Sequence, residues 1–195
     1  MGIIRNLLAL IGLIAVALII YGVVKIMPYK DNIRSFDPEA GRVFTELAFN
    51  VLKTGNAADA TVWKVPVKEG LSAQDVESSM RSIASENNIK NVGELPLYKE
   101  VTAMSGKPYR FAKIFMFCNA LTAAKMMDYD DAYSAYLPCR VSLIEDSEGK
   151  LWLYSLNMDM MIYGGQPLPP ELKKEAMNVK RIILDIMNRG SQGDF

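Results

Sequence analysis

An uncharged apolar run near the N-terminus constrains this chain more than any other feature. Residues 7–24 read LLALIGLIAVALIIYGVV, with no charged side chain, and Arg5 and Lys25 flank the run. As an α-helix it is about 27 Å long, and apolar residues beyond both ends extend it past the roughly 30 Å hydrocarbon core of a bilayer. The sequence therefore predicts a transmembrane anchor over residues 1–27.

A cleaved signal peptide is the alternative interpretation, because Ala15-Val16-Ala17 offers a small-residue cleavage site. The chain stays apolar from Leu18 to Val24, which is a poor start for a mature domain and favours a retained anchor. Positive charges on the two sides nearly balance, so the orientation rests on a short N-terminal tail followed by a long C-terminal domain. We expect a single-pass protein of a bacterial inner membrane, with its domain exported to the periplasm.

Charge and composition exclude several classes of function. The chain has 22 basic and 22 acidic residues, so no excess of positive charge predicts nucleic-acid binding. It contains no histidine, which removes Ser-His-Asp and Cys-His nucleophiles, histidine-ligated haem and zinc sites that need imidazole. No catalytic constellation is recognisable and no resident cofactor is predicted, so a non-catalytic role is favoured.

The remainder of the chain divides into a connecting region and one domain. Residues 28–59 are predicted to hold a polar connector and an amphipathic helix that opens at Asp37-Pro38-Glu39 and closes at Gly55. Residues 60–195 are long enough to bury a core as a single domain. Their hydrophobic periodicity predicts five strands and three main helices. We place the strands at 60–68, 95–104, 109–117, 139–145 and 151–157, and the helices at 72–88, 120–127 and 170–189.

This order of elements predicts an α+β fold. The strands come in hairpins separated by helices, and Ser105-Gly106-Lys107-Pro108 has the composition of a tight turn between two of them. Pro66 suggests that the first strand lies at an edge. We therefore expect a mostly antiparallel sheet of about five strands, covered by helices on one face.

Several short segments resemble a known family. Phe117-Cys118-Asn119 ends one strand, Leu137-Pro138-Cys139-Arg140-Val141 forms a later one, and Glu145-Asp146 and Gly149 follow. In these segments the chain resembles the family called domain of unknown function 302, over residues 60–195. The resemblance implies a small α+β domain of the kind found in bacteria and archaea, often as a dimer. It implies no reaction, because the family has no established activity.

The only two cysteines, Cys118 and Cys139, leave three interpretations open. They form a structural disulfide, they are two buried reduced thiols, or they are a functional pair that handles sulfur, metal or redox equivalents. Asn119 is a predicted helix cap, and a helix N-terminus beside Cys118 would favour a thiolate. Arg140 follows Cys139, but strand alternation directs it to the opposite face.

A methionine-rich segment is a second candidate site. Met158, Met160 and Met161 lie close together, Met126 and Met127 lie on the preceding helix, and thioethers combined with thiolates can hold Cu(I). The alternative is that these methionines fill an irregular core.

The sequence thus supports three hypotheses about function. The first is a membrane-anchored accessory or binding subunit of a larger membrane complex, such as one for respiratory or photosynthetic electron transfer, or a homodimer. The second is a thiol-dependent redox or sulfur-handling protein that uses Cys118 and Cys139. The third is a protein that binds Cu(I) or another small ligand.

Overall fold

The computed structural model describes residues 2–194 and contains a long N-terminal helix followed by an α+β domain. Its α-helices are α1 (Gly2–Ile26), α2 (Lys30–Arg34), α3 (Ala40–Thr54), α4 (Ala57–Ala60), α5 (Ala73–Glu86), α6 (Leu97–Ser105), α7 (Ala120–Tyr129), α8 (Asp159–Tyr163) and α9 (Pro170–Gly190). Short 3-10 helices occupy Met27–Tyr29 and Asp131–Tyr136. The strands are β1 (Val62–Pro66), β2 (Lys90–Leu95), β3 (Ala112–Cys118), β4 (Cys139–Glu145) and β5 (Leu151–Leu156).

The N-terminal helix agrees with the predicted apolar anchor. The helical run Gly2–Arg34 is long and apolar enough to cross a membrane, and it is the one such helix within residues 2–194. No residue of α1 between Gly2 and Ile26 is buried against the protein. A signal sequence near an N-terminus has the same length and composition, so these properties fit both a retained membrane anchor and a cleaved signal sequence.

All five strands form one antiparallel sheet in the order β1-β5-β4-β3-β2. The predicted α+β fold and the edge position of the strand containing Pro66 are therefore confirmed. Alternate strand residues are fully buried against α5 and α9, and the residues between them are partly exposed. The central core side chains are Val76, Met80, Ile83, Phe115, Phe117, Val141, Leu143, Leu153, Ile183, Ile186 and Met187.

Helices α5 and α9 pack closely where α9 ends. A β-carbon added to Gly190 would lie 2.7 Å from the Met80 Cγ atom, so only glycine fits this approach without movement. Ser72 and Asp75 begin α5 as a capping box, in which each side chain binds the other's backbone N–H. The predicted helix at 72–88 is thus confirmed, with Ser72 as its cap.

The predicted strand over residues 95–104 is wrong. The strand β2 ends at Leu95, and Leu97–Ser105 forms α6 instead. Pro96 has no backbone N–H to pair with a neighbouring strand, and Gly106 ends the helix with a left-handed φ of 69°. Strands β2 and β3 are still antiparallel neighbours, but a helix joins them and not a tight hairpin turn.

Helix α3 is held to the domain at its N-terminal end. Asp37 is buried, its backbone N–H donates to Gly165, and its carboxylate accepts from Glu39 N–H and pairs with Lys173 on α9. Val43 is buried against α8. Beyond this turn most of α3 is exposed, and it ends at Gly55 as the sequence predicts.

Candidate functional site

The two cysteines line one small cavity at an end of the sheet. Cys118 is the last residue of β3, and Cys139 is the first residue of β4, where it pairs with Phe117. The cavity has a volume of about 30 Å³, enough for one or two water-sized occupants. Its lining residues are Phe117, Cys118, Asn119, Thr122, Ala123, Met126, Tyr133, Leu137, Cys139, Met158, Met161, Ala176 and Val179.

Both cysteines are free thiols in this structure, which does not contain the disulfide that is one of the three interpretations. Burial raises the pKa of the Cys118 thiol. Burial, and then the charge of Cys118, raise the pKa of Cys139 to about 11, against a smaller opposing effect of Arg140. Both thiols therefore keep their protons near neutral pH and are weak nucleophiles.

Burial raises the pKa of Cys118, which is opposite to the direction expected from a helix N-terminus beside it. Asn119 is the N-cap of α7, as predicted, and its side-chain oxygen accepts hydrogen bonds from the N–H groups of Leu121 and Thr122. These first-turn donors are thus already occupied and do not serve the sulfur. Arg140 is exposed, as strand alternation predicts, and its carbonyl accepts from the Ser155 hydroxyl.

The predicted methionine cluster divides between two surfaces. Met158 and Met161 line the cavity of the cysteines, three positions apart and on one side of the short helix α8. Met160 is 38% exposed and lines a separate groove beside Val43 and Leu47 of α3. The structure therefore brings Cys118 and Cys139 together with two of the three predicted methionines.

Sequence reasoning missed the polar part of this lining, Thr122 and Tyr133. Met126 on α7, which belongs to the sequence-predicted methionine set, also lines the cavity, whereas Met127 of that set is not a lining residue. The polar side chains of the lining already have partners: the Thr122 hydroxyl donates to Glu175, and the Tyr133 hydroxyl donates to the Met161 carbonyl. Five lining side chains carry sulfur, so sulfur atoms are the most numerous side-chain donor atoms around the cavity.

A cluster of charged side chains at the other end of β3 was also missed. Glu94 on β2 accepts two hydrogen bonds from Arg81, at 2.8 and 2.9 Å, and one from Asn91 at 2.7 Å. The Lys113 amine lies 2.7 Å from Glu77 and 2.8 Å from Glu94. The available signal was Lys113 itself, since alternation along β3 places it on the same face as Phe115 and Phe117.

Comparisons with known proteins identify the domain. A search of curated proteins finds no match. The crystal structure of an uncharacterized conserved DUF302 protein from Bacillus stearothermophilus is similar, with a TM-score of 0.54 and 14% sequence identity over 66% of this chain and 97% of that one. At this identity the similarity concerns the fold alone. The sequence profile described as Domain of unknown function DUF302 matches residues 63–189, more than half of the chain. The chain therefore belongs to the DUF302 family.

Proposed function

We propose that this protein is a membrane-tethered, non-catalytic accessory subunit that docks on a larger integral membrane protein. Two neighbouring apolar surfaces support the proposal. The first is α1, which is long and apolar enough to cross a bilayer. The second is the exposed side of α3, which begins only six residues after the helical run Gly2–Arg34 ends. A chain tethered in this way holds α3 near the membrane.

The exposed apolar strip of α3 is the observation that carries the proposal. Phe44, Phe49, Val51 and Leu52 are 43%, 67%, 36% and 80% exposed. Val43, by contrast, is buried against α8, so the helix packs on its own domain through a narrow stripe only. Phe44, Val51 and Leu52 lie within about 100° of one another around the helix, and exposed apolar residues grouped in this way are typical of an interaction surface.

Charge favours a protein partner over the lipid surface. Helices that lie in a membrane interface carry an excess of Lys and Arg on their polar face. On α3 the polar face is balanced instead: Arg42 pairs with Glu39 at 2.7 Å and with Glu46 at 2.9 Å. Such a face gains little from anionic headgroups, whereas the apolar strip beside it suits an apolar surface of another subunit.

The proposed location is a bacterial inner membrane with the domain in the periplasm, in association with an electron-transfer complex. Protease added to intact spheroplasts tests it: we expect cleavage of the domain without lysis. Protection until the membrane is opened would place the domain in the cytoplasm.

Copurification from native membranes tests the docking itself. The wild-type chain in mild detergent is expected to migrate in a complex with a different integral membrane protein. The variant Phe44→Glu/Leu52→Glu, which places two charges in the strip, is expected to migrate alone. Asn188→Glu is the matched control, because it adds a charge to an exposed polar position of α9, outside the strip.

Three results would contradict the proposal. A wild-type chain that is monodisperse and free of partners in native membranes would exclude a stable accessory role. A complex that contains only copies of this chain would show a homo-oligomer instead. A complex that survives the double substitution in α3 would show that another surface makes the contact.

A further inference from the structure

We propose that the cavity between β3, β4, α7 and α8 is a site for the soft cation Cu(I), held by the sulfur atoms of Cys118, Cys139, Met158 and Met161. The inference does not depend on the proposed accessory role. It differs from the sequence-based hypothesis in removing Met160, which lines a separate groove.

The concentration of sulfur in this cavity is the first argument. The chain has 2 cysteines and 12 methionines among 195 residues, so thirteen residues drawn at random would include about one of them. Five of the thirteen lining residues are cysteine or methionine, and they come from a strand end, a strand start, α7 and the α8 region. Packing alone accounts for a buried methionine, but it does not require both thiols of the chain to face the same space.

The size and polarity of the cavity decide between kinds of occupant. A volume of about 30 Å³ excludes an organic ligand, because pockets for such ligands measure roughly 300–1,000 Å³. The polar side chains of the lining are few, and the hydroxyl groups of Thr122 and Tyr133 donate to Glu175 and to the Met161 carbonyl, whereas five lining side chains carry sulfur. A single ion that accepts sulfur ligands fits both this volume and this lining.

The set of donor atoms selects a soft monovalent metal. Thiolate and thioether sulfur favour Cu(I), whereas Zn²⁺ sites take thiolate, imidazole and carboxylate ligands in tetrahedral sets. Within residues 2–194 no cluster of three His, Cys, Asp or Glu side chains is placed to hold a metal ion. The methionines are therefore needed to complete the coordination.

Binding requires no change of oxidation state. Copper enters and remains as Cu(I), each thiol that coordinates it forms a Cu–S bond and loses its S–H proton to the buffer, and the thioethers bind through lone pairs. With both thiols deprotonated the centre carries one negative charge. Cys118 is partly exposed at the end of β3, so its released proton can reach the solvent.

Competition for Cu(I) tests the site in the full-length, detergent-solubilised protein. The probe is Cu(I) supplied as its bicinchoninate complex in anaerobic buffer, with a non-thiol reductant that keeps both cysteines reduced. The wild type is expected to remove one equivalent of Cu(I) from the chelator, and X-ray absorption is expected to show sulfur ligands only. Zn²⁺ supplied alone is expected to show no stoichiometric binding.

Four variants locate the ligands. Cys118→Ser/Cys139→Ser removes two of them and should weaken binding by more than the roughly 10–100-fold that loss of an outer-shell partner costs. Met158→Leu and Met161→Leu keep the side-chain volume and are expected to weaken it by about tenfold each. Met160→Leu is the matched control and should bind like the wild type. Circular dichroism confirms that each variant is folded.

The site is refuted if the folded wild type takes no Cu(I) from the chelator. It is also refuted if the double serine variant binds as tightly as the wild type, because the metal would then lie elsewhere. Equal losses from Met160→Leu and Met158→Leu would show a general effect of methionine content and not a ligand set at this cavity.

Discussion

Replacing Glu94 by glutamine tests how strongly the buried charge cluster stabilises the domain. Hydrogen bonds from Arg81, and then from Lys113 and Asn91, outweigh the effect of burial and lower the pKa of Glu94 from 4.5 to about 2. A shift of this size corresponds to about 3 kcal/mol of unfolding free energy at neutral pH. The Glu94 side chain is 25% exposed, so we expect a measured loss of about 2–3 kcal/mol at pH 7.

The sign of the pH dependence follows from the lowered pKa. The ionised form of Glu94 is favoured in the folded state, so its contribution is complete above the unfolded pKa of 4.5 and disappears as the pH falls toward about 2. At pH 3 less than half of the contribution remains, because the unfolded chain is protonated there. The stability difference between wild type and Glu94→Gln should therefore shrink steadily from pH 5 to pH 3.

Urea unfolding of the full chain in detergent measures both quantities. The two tryptophans, Trp63 and Trp152, lie in β1 and β5, so their fluorescence reports the domain and not α1. Glu148→Gln is the control, since the Glu148 side chain is 71% exposed and pairs with Lys150, which is 61% exposed, and it should change stability by less than about 0.5 kcal/mol. A Glu94→Gln loss that is equal at pH 7 and pH 3 would refute the electrostatic explanation.

Three further predictions concern packing, the attachment of α3 and the thiols. Gly190→Ala should lower the free energy of unfolding by about 1–3 kcal/mol, because its new methyl group meets Met80. Gly41→Ala, in open space on α3, should raise it by up to about 1 kcal/mol. Urea unfolding that shows a change of the same sign in both variants would contradict this prediction. Asp37→Ala removes the partner of Lys173, whose side chain is 27% exposed, and should lower the free energy of unfolding by about 2–3 kcal/mol. It should also speed tryptic cleavage within α3. Asp59→Ala, at an exposed position, is the control and should change neither property. Iodoacetamide at pH 8 should label Cys118 before Cys139, because with a pKa of about 11 only about one Cys139 thiol in a thousand is ionised at that pH. Peptide mass spectrometry measures the order of labelling. Labelling of Cys139 first would show that Cys139 is not the less reactive thiol.

Periodicity predicted most of the sheet, and the one wrong strand shows where it fails. Residues 95–104 contain apolar residues at spacings that suit either a strand or a helix. The deciding features are Pro96 and Gly106. Pro96 has no backbone N–H to donate in the interior of a sheet, but it fits the start of a helix. Gly106 adopts the left-handed conformation that ends a helix. Weighting these two residues above the apolar pattern would have predicted α6 correctly.

The candidate site was harder to predict because its residues are distant in sequence. Cys118 and Cys139 approach each other because β3 and β4 are paired with Phe117 opposite Cys139, and that register depends on the whole sheet. The raised pKa values depend on burial, which no local motif reports. The inward-facing Lys113, in contrast, was visible in the sequence as a charge at a core position of β3 and implied acidic partners.

Helix α8 connects the two proposals, and its two sides provide a final test. Met158, the N-cap of α8, and Met161 line the cavity, whereas Met160 lines the groove beside α3, so α8 lies between the proposed metal site and α3. If the two sides act separately, Met160→Ala should loosen α3 and weaken copurification while leaving the Cu(I) affinity unchanged. Met158→Leu should do the reverse. If either variant loses both copurification and Cu(I) affinity, the two sides of α8 are coupled. By thermodynamic linkage, metal binding and partner binding would then change each other's affinity by the same factor.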